Sequence, residues 1–170
     1  MLSFNFGFTQ GELPFFEQIA FDLYKDSIIQ KHPVDKRIKI TKFATDLHTD
    51  KWYRFSVTEC LTGKSMIDGK ELEVFNIYAL QQQMNIDSPK YEMNYNRVNK
   101  KQFKIKNSKT SSYPYLRISQ PYHKINNFEE FYINVIEYHK NWSITYFVII
   151  DKTGKMKKWC RDNDIEILVH

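Results

Sequence analysis

The chain has 170 residues, 42% of them apolar and 16% aromatic, and 25 basic against 20 acidic side chains give a net charge of +5. That composition suits one domain, residues 1–170, with a core burying about 70% of the unfolded surface, and it excludes wholesale disorder. No apolar run reaches the roughly 18 residues of a membrane-spanning helix, so no membrane partner is expected.

Leu2, Phe4, Phe6 and Phe8 alternate with smaller or polar residues, the period of a strand with one apolar face and not the pattern of a secretory leader. Pro14 suits the first turn of a helix that carries Phe16, Ile19, Ala20, Leu23 and Tyr24 at helical spacing and stops before Pro33. Arg37 to Phe43 and Trp52 to Cys60 read as strands, and Leu61 to Ser65 as a turn. Glu71 to Met84 fits both periods, and the helix formers from Ala79 to Met84 favour a helix. Tyr91–Val98 and Lys101–Lys106 read as a hairpin turning at Asn99-Lys100, and Tyr113 to Ser119 as a further strand stopped by Pro121. Phe128 to Phe131 reads as one helical turn. Tyr132–Tyr138 and Ser143–Ile150 are strands, the second apolar enough to be central. Asp151 to Gly154 is a turn, Lys155 to Asp162 a short helix, and Ile165 to Val169 a last strand. The expected fold is α+β: a mostly antiparallel or mixed sheet flanked by a few helices.

Cys60 and Cys160 form neither a disulfide framework nor a zinc quartet. They read as buried free thiols in a reducing compartment, which makes the expected location cytoplasmic.

From Met93 to Phe128 there is no Asp or Glu, while Arg97, Lys100, Lys101, Lys104, Lys106, Lys109, Arg117 and Lys124 give this window +8. The rest of the chain therefore sums to −3. A basic segment in a mildly acidic body is the electrostatic footprint of a polyanion partner. On a strand, Lys104 and Lys106 share one face, about 7 Å apart, a spacing suited to successive phosphates. Tyr113 and Tyr115 lie among the bases, where aromatic rings stack on unpaired bases. The expected partner is thus nucleic acid, DNA or RNA, held by Arg97, Lys100, Lys101, Lys104, Lys106, Lys109 and Arg117 and stacked by Tyr113 and Tyr115. An acidic protein surface is the alternative partner, for a non-enzymatic accessory or inhibitor protein of the kind found in phages and mobile elements.

Other motifs carry less. Gly63-Lys64-Ser65 matches the end of a phosphate-binding loop, but Thr58 stands where that loop needs a glycine. Asp46, His48 and Asp50 alternate as metal ligands on a strand would, as short Asp/His loops also do. Glu129, Glu130 and Glu137 read as surface carboxylates, and His139 forms no ligand spacing with His48.

Gln102-Phe103-Lys104, or Lys104-Ile105-Lys106, followed by apolar strands, resembles the (D/E/Q)-x-K strand of the PD-(D/E)xK nuclease superfamily, over residues 87–169. The resemblance implies a Mg²⁺-dependent phosphodiesterase, if the chain is an enzyme. Asp87 and Glu92 would hold the metal, Lys104 or Lys106 would serve the attacking water, and Glu12 or Glu17 would stand for the family's early-helix glutamate. The Pro-Asp pair of the family is replaced by Pro89-Lys90, and no acid lies two residues before either lysine.

Overall fold

The computed structural model describes residues 13–42, 77–79, 92–107, 112–124 and 127–164. The expected strands at 2–8, 52–60 and 165–169, the turn at 61–65, and Glu12, Asp46, His48, Asp50, Cys60, Asp87 and Lys109 lie outside these residues.

Helix α1, Phe16–Leu23, runs through a π-helical turn, Tyr24–Ile28, into α2, Ile29–Lys31. Phe16, Ala20, Tyr24 and Ile28 are all fully buried and repeat every four residues. In an α-helix such a row drifts about 40° per step around the axis. The wider π turn counters that drift and keeps Tyr24 and Ile28 on the sheet side. The helix ends where the sequence requires, since His32 precedes Pro33 and leaves the helical region at φ −129°.

Eight strands form one mixed sheet among the described residues: β1 Ile38–Thr41, β2 Ile77–Ala79, β3 Phe103–Lys106, β4 Tyr115–Ile118, β5 Tyr122–Lys124, β6 Asn127–Tyr138, β7 Ser143–Asp151 and β8 Met156–Asp164. β1 lies parallel to both β3 and β4, and the other pairings are antiparallel. β4 and β5 follow one another along one edge of β6, and β7 covers the other edge. Between β4 and β5 the ladder is repaired by Ser119, whose N–H donates to Asn134 O (2.8 Å) and whose Oγ accepts from Asn134 N (2.9 Å). Pro121, which cannot donate, falls in this gap.

The helix packs on one face of the sheet, over Ile38, Ile40, Phe103, Leu116, Phe131, Ile133, Val135, Tyr146 and Val148. Phe16 stacks on Phe131 at 4.3 Å, a contact worth about 1 kcal/mol beyond its burial. The turn between β7 and β8 tucks under the start of the helix. Gly154 sits there at φ +88°, and a Cβ on it would come within 3.3 Å of Ile19 and Pro14. Asp151 Oδ1 holds this turn by accepting from Thr153 N, Thr153 Oγ1 and Lys155 N.

The α+β class, the first helix, β1, β4, β6, β7 and the Asp151–Gly154 turn match the sequence. Several expectations are corrected. Phe128–Phe131 is strand, because the nine-residue partner β7 carries the ladder back to Glu130 and Phe131. The expected helix Lys155–Asp162 is instead strand from Met156 onward, within β8, since the tight turn returns the chain alongside β7. Ile77–Ala79, inside the expected helix 71–84, is strand paired with β5. Residues 91–106 form no hairpin: β3 pairs with β1, and residues 96–97 and 100–102 turn. Asparagines cause this, for Asn94 Oδ1 accepts from Asn96 N and Asn99 Oδ1 from Lys101 N. Cys160 is not a free thiol but disulfide-bonded, because separation along the sequence does not fix separation in space. The thiol-based reason for a reducing compartment falls with it. No helix among the described residues is long and apolar enough to cross a membrane.

Glu17, on the buried face of α1, is 3% exposed, and its Oε2 has no hydrogen-bond partner. Burial pushes its pKa up to about 7 from 4.5. The folded state therefore holds this proton where the unfolded chain has released it, so stability is full below about pH 4.5 and falls as pH rises toward 7. The total is on the order of 3 kcal/mol. Glu17→Gln is expected to flatten this slope in urea unfolding measured from pH 4.5 to 8; an unchanged slope would assign the pH dependence elsewhere.

Candidate functional site

Two groups of side chains stand out, on opposite faces of the sheet. The first is the basic edge. Strand alternation sends Ile38, Ile40 and Phe103 toward the helix and Lys39, Lys104 and Lys106 to the other face. The parallel register sets Lys39 against Lys104 and Thr41 against Lys106, and on its other side Lys39 against Tyr115. Lys39 Nζ donates to the carbonyls of Ser112 (2.9 Å) and Tyr113 (3.0 Å). Its pKa is lowered, first by desolvation and then by the like charges of Lys106, Lys104 and Lys36. Among the described residues no carboxylate pairs with Lys39, Lys104 or Lys106.

Next to these lysines runs a ladder of rings. Tyr113 stacks on Tyr115 at 5.4 Å, and Tyr115 on Tyr138 at 4.8 Å. The Arg117 guanidinium lies 5.3 Å from the Tyr115 ring and 5.5 Å from that of Tyr138. Tyr115 is only 9% exposed between its two neighbours, whereas Tyr113 is 38% exposed at the end of the ladder. The stacking role expected of both tyrosines is thus open to Tyr113 alone. Arg97, Lys100 and Lys101 are exposed on the 96–102 turns.

Glu92 stands beside the end of the lysine strand, since Lys42 N donates to Lys106 O and Met93 N to Lys42 O, both at 3.0 Å. Its carboxylate pairs with Lys42 Nζ at 2.7 Å. No group of three or more His, Cys, Asp or Glu side chains suited to a metal occurs among the described residues.

The second group was missed by the sequence reading. Glu137, expected on the surface, is 1% exposed at the end of β6. It follows Ile133 and Val135 at alternate positions, so the strand carries it into the helix interface. Burying a carboxylate there demands partners for both oxygens. Tyr24 Oη donates to Oε2 at 2.5 Å, and His139 Nε2 lies 2.5 Å from Oε1. The Tyr24 pKa is raised, first by burial and then by the Glu137 charge. The His139 ring lies flat on Trp142, with centroids 3.5 Å apart and planes 9° from parallel. Tyr146 is fully buried nearby. Burial first, then Glu137, pushes its pKa up to about 12 against the opposing pull of Arg161.

Glu137, His139, Trp142 and Tyr146 line a cavity of about 610 Å³. Lys31, Lys36, Lys140 and Arg161 stand around it against the acids Asp35 and Glu137, and Tyr113 and Pro114 form part of its wall. The legible signal was the spacing Glu137-x-His139, which on a strand puts both side chains on one face.

Comparisons with protein-family models, curated proteins and solved structures gave no match.

Tyr24→Phe leaves Glu137 Oε2 buried without its donor. A stability loss of about 1–3 kcal/mol is expected in chemical denaturation. A neutral substitution would show that the carboxylate does not depend on the phenol.

Proposed function

We propose that this chain binds nucleic acid through the lysine and tyrosine edge of its sheet. The observation that carries the reading is the alignment of Lys39, Lys104 and Lys106 on one face by the β1–β3 register, close enough for Lys104 and Lys106 to lower the Lys39 pKa. Like charges gathered with no carboxylate partner among the described residues repel in the free protein, and a phosphate backbone relieves that repulsion while releasing its own counterions. Tyr113, half exposed at the end of its ring ladder, adds a face on which an unpaired base stacks, which favours single strands. The reading is binding rather than Mg²⁺-dependent cleavage. Glu92, the one metal-site acid of the nuclease resemblance among the described residues, is committed to Lys42.

The test is fluorescence anisotropy with a labelled single-stranded oligonucleotide at several salt concentrations. Affinity is expected to fall steeply with salt. In a Lys104→Gln/Lys106→Gln double variant the log–log slope should become shallower by roughly 1.4, at about 0.7 per phosphate contact on a single strand. Tyr113→Ala is expected to cost about 1–3 kcal/mol with the slope retained. No binding at low salt would overturn the reading and leave an acidic protein as the partner of this surface.

A further inference from the structure

We propose that the cavity beside Glu137 is a second binding site, for a nucleoside phosphate. Its volume of about 610 Å³ falls within the range of small-molecule sites. Its walls divide into the two chemistries such a ligand needs. Arg161, Lys36 and Lys140 supply cations for a phosphate, while Lys31 also lies 5.8 Å from the Trp159 ring. Trp142 supplies a flat ring for a base: it is 42% exposed, with His139 stacked on one side of it.

The interior of the site sets the orientation of that ring. Tyr24 fixes the Glu137 carboxylate, Glu137 fixes His139 through Nε2, and the imidazole lies flat against the indole. A chain of contacts from the helix core thus sets the plane of a surface aromatic, and Glu137 and His139 act as positioning residues. Fold stability gives no reason for such a chain, because an apolar pair in place of a buried Glu and its partly buried His partner is commonly as stable or more so.

The ligand has two sources with one chemistry: a free mononucleotide, or the terminal phosphorylated nucleotide of a strand lying on the basic edge. The second source rests on the binding function proposed above, because Tyr113 belongs both to the cavity wall and to the ring ladder. The first stands without it.

The experiment is isothermal titration of the full chain with adenosine and guanosine monophosphates, and with inorganic phosphate. At least one monophosphate is expected to bind at least tenfold more tightly than phosphate, and Arg161→Gln and Trp142→Ala are each expected to weaken it tenfold or more. Lys104→Gln/Lys106→Gln should leave mononucleotide affinity unchanged, which separates this site from the basic edge. In the strand arm, 5′-phosphorylated and 3′-phosphorylated oligonucleotides are compared with the unmodified one. A tenfold preference abolished by Trp142→Ala identifies a strand end as the source; no preference, with mononucleotide binding intact, identifies the free nucleotide. Absence of monophosphate binding at millimolar concentration, phosphate binding as tight as the nucleotide, or affinity unmoved in both Arg161→Gln and Trp142→Ala overturns the proposal.

Discussion

Strand β6 is the constraint on which the rest of the structure depends. It pairs on both edges, with β4 and β5 in succession on one side and β7 along the other. With its backbone donors and acceptors committed to ladders, both faces can be buried. Ile133 and Val135 lie against the helix, and Asn134 and Ile136 are equally hidden on the far side. In such a strand, side-chain position follows from parity and not from polarity. Glu137 occupies an inward position, so it is buried, and the helix must supply its donor. The helix meets that need with Tyr24, at the start of the π turn, whose phenol reaches the carboxylate.

The elements read correctly from sequence are those whose pattern is local. The first helix has its period and its stop at Pro33, and β6 and β7 have long apolar runs. The Asp151–Gly154 turn has an Asp to accept backbone donors and a Gly to take a positive φ. The errors arose where a partner strand overrode local preference. Met156 to Asp164 is rich in charge, with Trp159, Cys160 and Asp162 half-buried beside exposed neighbours, yet pairing with β7 makes it a strand. Lysines suit such a position, because β8 pairs only with β7 among the described residues and charge guards an open edge.

The sites divide in the same way. Lys104 and Lys106 share a face because they are two residues apart, a relation visible in sequence. Lys39 joins them only through a parallel pairing across more than sixty residues, which no local pattern announces. Glu137 and His139 were within reach of the same two-residue rule. They were overlooked because a carboxylate near the end of a strand was assigned to solvent by residue type. Parity with Ile133 and Val135 was the better guide.

The lysine edge and the cavity are joined through residues 112–114. Lys39 holds the carbonyls of Ser112 and Tyr113, and Tyr113 and Pro114 form part of the cavity wall. Lys36 lies close enough to help lower the Lys39 pKa and also lines the cavity. An anion at Lys104 and Lys106 would relieve the repulsion that Lys39 meets while it holds those carbonyls. An anion in the cavity near Lys36 would act on Lys39 in the same direction. The placement of Lys39 between Lys104 and Tyr115 in the sheet gives it this double role: it contributes charge to one surface and backbone anchorage to the wall of the other.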